Sequence, residues 1–145
     1  MPDAILHLVD TSLWILALKP GARGHWIDEL RFLIPQRQVG INPIIRMELL
    51  TGSRSEKEYG EITDVLGALT SLEVTDAVWQ EACRLGFTLR RKGLTVPNTD
   101  ILIAASAIHY RCILYHYDHH YQLIAKHSPL EEKTIVIKLN KGGNN

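Results

Sequence analysis

The sequence predicts an α/β domain, built as a three-layer α/β/α sandwich around a mainly parallel central sheet. Short apolar runs recur along the chain, and each is followed by a segment with helical periodicity. This alternation is typical of parallel strands covered by helices on both faces. Hydrophobic residues make up 46% of the 145 residues, enough for the buried core of a single domain.

The first half of the chain contains two predicted strands and four predicted helices. The apolar run AILHLV predicts a buried strand that ends at Asp10, and Thr11 or Ser12 is the predicted cap of the following helix. Pro43 opens a later helix and Gly52 ends it. The predicted strands cover 4–9 and 38–42, and the helices after the one at residue 11 cover 25–35, 43–52 and 55–69.

The second half repeats the alternation with three predicted strands and three predicted helices. Asp76 is the predicted cap of a long helix, and the segment after Val96 is apolar on almost every face, which predicts a buried helix. The predicted strands cover 72–75, 112–117 and 134–139, and the helices cover 76–93, 97–111 and 118–127. We expect one domain over 1–145, with a flexible tail at 140–145.

The bulk composition excludes several classes of protein. Lys and Arg total 16 and Asp and Glu total 16, so the chain does not coat nucleic acid by net charge, although a local basic groove stays possible. Cys83 and Cys112 fit neither a disulfide framework nor a zinc ribbon, and predict small buried residues in a reducing compartment. Without a basic leader or a long apolar run, we expect a soluble cytoplasmic protein that does not enter a membrane.

Two carboxylates follow predicted strands directly. Asp10 ends the run AILHLV, and Asp118 ends the run CILYHY. Parallel sheets place their sites outside the carboxyl ends of the strands. If both runs belong to one parallel sheet, both carboxylates therefore lie at the same edge.

Two further carboxylates begin or end apolar helix faces. Asp100 lies in the first turn of the predicted buried helix, where it either stabilises the helix dipole or belongs to a site. Glu48 lies one turn after Ile44 and Ile45 on the same helix face, which places it either at the edge of the core or on the surface with its carboxylate in water.

A bound divalent cation would explain why four carboxylates lie close together. Carboxylates that share a pocket repel each other, and a cation removes that cost. Oxygen ligands suit Mg²⁺ or Mn²⁺ and not Zn²⁺. Such a cation can activate water and bind a phosphate oxygen, which is a common way to cut a phosphodiester bond.

Four segments in this order resemble the PIN domain, most closely the VapC-type toxins of bacterial toxin–antitoxin pairs. They are LVDTSLWI, PIIRMELLTG, VPNTDILIAASA and YHYDHHY, and together they extend over nearly the whole chain. The resemblance implies a PIN-like fold and a Mg²⁺- or Mn²⁺-dependent endoribonuclease. It also implies a homodimer and a small antitoxin that wraps the toxin and fills the site with a basic side chain.

The resemblance also implies roles for individual residues. Asp10, Asp100 and Asp118 resemble the metal-binding aspartates, and Glu48 resembles the glutamate of the central helix. Thr11 or Ser12 matches the hydroxyl residue that follows the first acid. His120 is a departure, because many relatives carry an acid there, and this puts the number of metal ions in doubt.

The histidines and the basic residues leave alternatives open. His116 and His120 lie on opposite sides of a predicted strand–helix junction, and the side chains of His119 and His120 should point in different directions from the helix. We therefore favour histidines that are solvated or that support the site over histidines that bind a transition metal. His120 could also contact an RNA phosphate. The possible RNA contacts are Arg46, Arg90, Arg91 and Lys92, although the last three also suit an ordinary cationic helix end.

Two other functions compete with the nuclease. A receiver-like module is also α/β and binds Mg²⁺, but it would need an aspartate at the end of a middle strand, and 72–75 offers none. A PIN-like domain that binds RNA or a partner without cutting would not need all four acids.

Overall fold

The structure is a computed structural model that describes residues 4–137. Its centre is a five-stranded sheet with the strand order β3-β2-β1-β4-β5, and every pairing is parallel. The predicted α/β fold with a parallel sheet is thus confirmed. The strands are β1 His7–Val9, β2 Val39–Ile41, β3 Thr70–Ser71, β4 Ile113–His116 and β5 Glu131–Thr134.

Seven helices connect these strands in the described part of the chain. They are α1 Thr11–Ala17, α2 His25–Leu33, α3 Pro43–Thr51, α4 Glu56–Gly67, α5 Asp76–Arg91, α6 Asn98–His109 and α7 His119–Ala125. Because crossovers between parallel strands are right-handed, the strand order indicates that α1 to α4 cover one face of the sheet and α5 to α7 the other. Packing of α3 on α1 and α4, and of α6 on α5 and α7, fits this assignment, and α3 and α6 also contact each other.

The core lies along the central strands and α6. Leu8, Val9 and Leu114 are fully buried on β1 and β4, because a helix layer covers each face of a parallel sheet. Every residue from 101 to 107 on α6 is buried as well. The predicted buried helix is therefore confirmed.

The two edge strands differ from their predicted positions. The strand predicted at 72–75 lies instead at Thr70–Ser71, where it pairs with Gly40 and Ile41. Leu72 follows this strand: its N–H donates to the carbonyl of Ile41 at 2.8 Å, and its side chain is buried in the core. The strand predicted at 134–139 begins three residues earlier and covers the polar segment Glu131–Thr134. Residues 135–137 are not in a strand, and 138–139 lie outside the described residues. Both predictions followed apolar residues, but a strand at a sheet edge needs backbone pairing on one side only and can expose polar side chains.

Two helix caps also differ from the predictions. Asp10, and not Thr11 or Ser12, caps α1, because its side chain accepts the backbone N–H of Ser12. Thr75, and not Asp76, caps α5 by accepting the N–H of Val78. In each helix the residue one position earlier has the extended backbone that a cap requires.

One of the two cysteines that were predicted to be buried is exposed. Cys83 is exposed on α5, whereas Cys112 is buried, and burial raises the pKa of Cys112 to about 12. Among residues 4–137 no helix is long and apolar enough to cross a membrane. The predicted flexible tail at 140–145 lies outside the described residues.

Candidate active site

Asp10 and Asp118 lie at the same edge of the sheet. β1 and β4 are parallel neighbours, with Val9 opposite Tyr115. The backbone N–H of Asp10 donates to the carbonyl of Tyr115 at 2.9 Å, so the first residue after β1 is fixed against β4. Asp118 follows the end of β4 by two residues and caps α7.

Asp10 is held by donors from two helices. It is only 7% exposed. Its Oδ2 accepts the backbone N–H of Ser12 at 3.2 Å and also the Ser12 hydroxyl. Its Oδ1 accepts the hydroxyl of Tyr121 at 2.8 Å. The carboxylate therefore has one defined orientation, and a lone pair stays available on Oδ1, which accepts a single hydrogen bond from residues 4–137.

Glu48 is drawn towards Asp10 by Thr11. The Thr11 hydroxyl donates to Glu48 Oε1 at 3.0 Å, which joins α1 to α3. The start of α3 is also fixed, because the buried Asn42 accepts the N–H of Ile45 at 2.9 Å and donates to Ser106 at 3.3 Å. The half-buried Glu48 thus faces the acid cluster and not open water.

Asp100 lies in the first turn of α6, where α7 reaches it. Its Oδ2 is 3.2 Å from Nδ1 of His120, and its Oδ1 is 3.4 Å from the Tyr121 hydroxyl. Burial raises the pKa of Asp100, and the charges of Asp10 and Asp118 raise it further against the lowering effect of His120. Burial and the neighbouring acids thus destabilise the negative charge of this carboxylate.

Glu48 shows the same electrostatic environment. Burial raises its pKa, the hydrogen bond from Thr11 lowers it, and the charges of Asp10 and Asp100 raise it again. The structure therefore brings the four predicted acids into one cluster in which the charges influence one another. A set of hard oxygen donors under mutual repulsion fits a divalent cation such as Mg²⁺ or Mn²⁺.

Asp118 is positioned by a buried histidine. Its Oδ1 accepts the N–H of His120 at 2.9 Å, and its own N–H donates to Nδ1 of His116 at 3.0 Å. Because Nδ1 of His116 accepts, the ring carries its proton on Nε2, which lies 2.6 Å from Glu132 Oε2 and donates to it. His116 is fully buried and thereby ties the acid cluster to the edge strand β5.

His119 and His120 do not diverge as predicted. Their ring centroids are 4.5 Å apart, with an interplanar angle of 48°. Each Nδ1 atom lies 3.5 Å from Oδ1 of Asp118. The prediction considered only the spacing of Cα atoms around a helix, whereas both side chains turn back towards the carboxylate of Asp118, which caps α7.

Tyr121 is a site residue that the sequence reasoning missed. It is 1% exposed, and its hydroxyl reaches both Asp10 and Asp100. Burial, together with the nearby carboxylates, raises its pKa above the usual range, so the phenol stays protonated and donates. The available signal was weak: Tyr121 and Ile124 form the apolar face of α7 just after Asp118.

The predicted RNA contacts lie at the end of α5 and on α3. Arg90, Arg91 and Lys92 are exposed at the end of α5, and a short loop connects them to the helix that carries Asp100. Arg91 lies over the ring of Phe87, 6.0 Å from its centroid. Arg46 is half buried on α3. Over residues 4–137, the structure shows no hydrogen bond from any of these four cations to the acid cluster.

Comparison with known proteins identifies the family. The PIN domain family model matches residues 7–127. Ribonuclease VapC18 of Mycobacterium tuberculosis is 31% identical over 121 residues, which cover 81% of this chain and 85% of the relative.

Two solved structures share the fold. VapBC2 from Rickettsia felis, bound to a promoter DNA fragment, matches with a TM-score of 0.77 and 21% identity over 91% of this chain and 100% of that one. VapBC-5 from Mycobacterium tuberculosis, a member of a family of toxin–antitoxin systems, matches with a TM-score of 0.64 and 21% identity over 92% and 100%. The family match removes the receiver-like alternative. The chain belongs to the PIN-domain family.

Proposed function

We propose that this protein is a Mg²⁺- or Mn²⁺-dependent endoribonuclease and the toxin of a toxin–antitoxin pair. The observation that carries the proposal is the cluster of Asp10, Glu48, Asp100 and Asp118, whose burial and mutual repulsion raise the pKa of Glu48 and Asp100. A protein bears such a cost where a bound cation offsets it. The relative named a ribonuclease supports RNA as the substrate.

The proposed metal ligands are Asp10, Asp100 and Asp118, with Glu48 completing the negative charge around them. When bound, the cation would activate water and neutralise charge on the scissile phosphate. Ser12 and Tyr121 hold the carboxylate of Asp10 in one orientation through hydrogen bonds to its two oxygens. Because these donors are already in place, little reorganisation is needed when substrate binds.

The remaining chain elements suit a phosphate backbone. Thr11 keeps the carboxylate of Glu48 turned into the cluster. Arg90, Arg91 and Lys92 form an exposed cationic helix end, and we propose that they bind RNA phosphates beside the site, with Arg46 and His120 as further contacts. Cations in this position offset the repulsion between an acidic site and an anionic substrate.

A protein partner belongs to the same proposal. VapBC-5, whose fold this chain shares, is described as part of a toxin–antitoxin system. We therefore propose a cognate small antitoxin, encoded beside this chain, and a homodimer of the toxin. Co-expression with the neighbouring small reading frame, followed by size-exclusion chromatography, tests both the complex and the dimer.

Metal-dependent cleavage is tested with matched aspartate variants. We expect the purified protein to cleave RNA with Mg²⁺ or Mn²⁺ and to lose cleavage in excess EDTA. Asp10→Asn and Asp100→Asn should each lower the rate at least about a hundredfold, because cation binding supplies several kcal/mol of stabilisation. The control is Asp28→Asn, since Asp28 is 70% exposed and, among residues 4–137, forms its ion pair with Arg31 on the surface of α2.

Three results would contradict the proposal. Cleavage that continues undiminished in EDTA would exclude the metal-dependent mechanism. Cleavage at the wild-type rate by a folded Asp100→Asn variant would show that the acid cluster is not the active site. RNA binding without cleavage in any divalent cation would instead support a binding module and overturn the enzymatic proposal.

A further inference from the structure

We propose that Asp118, His119 and His120 form a binding site for Zn²⁺ at the rim of the acid cluster. One ligand atom from each side chain lies within 4.8 Å of the other two. This site shares Asp118, and with its fourth ligand also Asp100, with the proposed magnesium ligands, but differs from them in containing two imidazole nitrogens. It goes beyond the proposed function, because zinc binding at these residues does not depend on RNA cleavage.

The distances between the ligand atoms fit zinc. Bonds of about 2.0–2.1 Å at tetrahedral angles place two ligand atoms about 3.3–3.5 Å apart. Nδ1 of His119 and Nδ1 of His120 each lie 3.5 Å from Oδ1 of Asp118. The third pair, one ring nitrogen from each histidine, lies within 4.8 Å, so rotation of the rings has to close only this distance around one ion.

The backbone and the ring packing prearrange this set. The N–H of His120 donates to Oδ1 of Asp118 at 2.9 Å, so the carboxylate is fixed at the start of α7. The two rings lie 4.5 Å apart, and both present Nδ1 to that same oxygen. Such an arrangement lowers the entropy that the side chains lose when an ion orders them.

A fourth ligand is available beside the three. Oδ2 of Asp100 lies 3.2 Å from Nδ1 of His120, on the side of the acid cluster. The His119 side chain is 74% exposed and that of Asp118 39% exposed, so an ion can enter from solvent and keep water in any open position. The site is thus open on one side and anionic on the other.

The ligand chemistry separates this site from its neighbour. Imidazole nitrogen favours zinc, whereas magnesium prefers oxygen ligands and keeps much of its hydration shell. Asp10 and Glu48 supply oxygen only, and neither contacts His119 or His120 by hydrogen bond in the described structure. Zinc is therefore expected at the histidines even when magnesium is in excess.

The test is a zinc titration of the full-length, tag-free protein against a chromogenic chelator, in excess Mg²⁺ and without RNA. We expect one tightly bound Zn²⁺ per chain. His119→Ala and His120→Ala should each weaken zinc binding at least about tenfold, because each removes a ligand. The matched control is His127→Ala, which removes an exposed histidine outside the cluster and should leave the affinity unchanged.

Two further variants give the results that would overturn the proposal. Asp10→Asn should retain zinc affinity, and a loss equal to that of His120→Ala would place zinc among the four acids instead. Unchanged affinity in the His119→Ala/His120→Ala double variant would also refute the site, provided that its circular dichroism spectrum in EDTA is native. Loss of RNA cleavage by the wild type would leave these outcomes unaffected, so the two proposals fail separately.

Discussion

Replacing Tyr121 by phenylalanine removes one oxygen atom from the centre of the acid cluster. The hydroxyl donates to Asp10 Oδ1 at 2.8 Å and lies 3.4 Å from Asp100 Oδ1. A protonated phenol has a single hydrogen to donate, so the shorter contact to Asp10 is the bond that the substitution removes. The aromatic ring stays in place and continues to fill its buried position.

The expected loss of stability follows from this one bond. A hydrogen bond to a charged group contributes about 1.5–3 kcal/mol. For 145 residues, an unfolding entropy of about 2.1 cal/mol/K per residue gives about 3 °C per kcal/mol. Tyr121→Phe should therefore lower Tm by about 5–10 °C in EDTA. Because Asp10 also loses its fixed orientation, we expect RNA cleavage with Mg²⁺ to fall about 10–100-fold.

Tyr115→Phe is the matched control for this effect. Tyr115 is 3% exposed, and its hydroxyl donates at 2.8 Å to a carboxylate of Glu29, away from the acid cluster. Differential scanning fluorimetry should show a comparable fall in Tm, while cleavage of a fluorogenic RNA stays close to the wild-type rate. Wild-type cleavage by folded Tyr121→Phe, or an equal loss of cleavage in Tyr115→Phe, would refute the positioning of Asp10 by Tyr121.

Two other sets of variants test the electrostatics and the backbone. Burial and the charges of Asp10 and Asp118 raise the pKa of Asp100, so the folded state binds a proton more tightly than the unfolded state, and stability falls as pH rises through that range. Asp100→Asn should therefore raise Tm in EDTA at neutral pH. This gain in Tm should disappear below about pH 3.9, the unperturbed aspartate pKa. A Tm of Asp100→Asn below that of the wild type at neutral pH would contradict the prediction. Gly60 lies inside α4, and a methyl group added at its Cα would meet no atom within 4 Å, so Gly60→Ala should stabilise the protein by about 0.5–1 kcal/mol. Gly93 has a φ of +79°, so Gly93→Ala should lower the free energy of unfolding by about 1–2 kcal/mol. The two glycine variants should therefore shift Tm in opposite directions, and shifts of the same sign would contradict these backbone conformations.

The sequence alone determined the order of strands and helices and the nature of the fold. Central parallel strands are covered on both faces, so β1 and β4 had to be apolar and were recognisable as such. The same pattern identified α6 as a buried helix. Asp10 and Asp118 come after β1 and β4 in the sequence. Because the sheet is parallel, the sequence pattern was sufficient to predict that both carboxylates lie at the same edge of the sheet.

Only the tertiary structure decided what the acids contact. The edge strand Glu131–Thr134 carries no apolar signal, because a strand that pairs on one side is stabilised by its backbone. Tyr121 reaches Asp10 across 111 positions of the chain, and no local spacing encodes such a contact. His119 and His120 turn towards Asp118 because side-chain rotation, and not helical periodicity, sets where a ring nitrogen lies. Local patterns in the sequence specify secondary structure and burial, whereas packing between distant segments sets the directions of donors and acceptors.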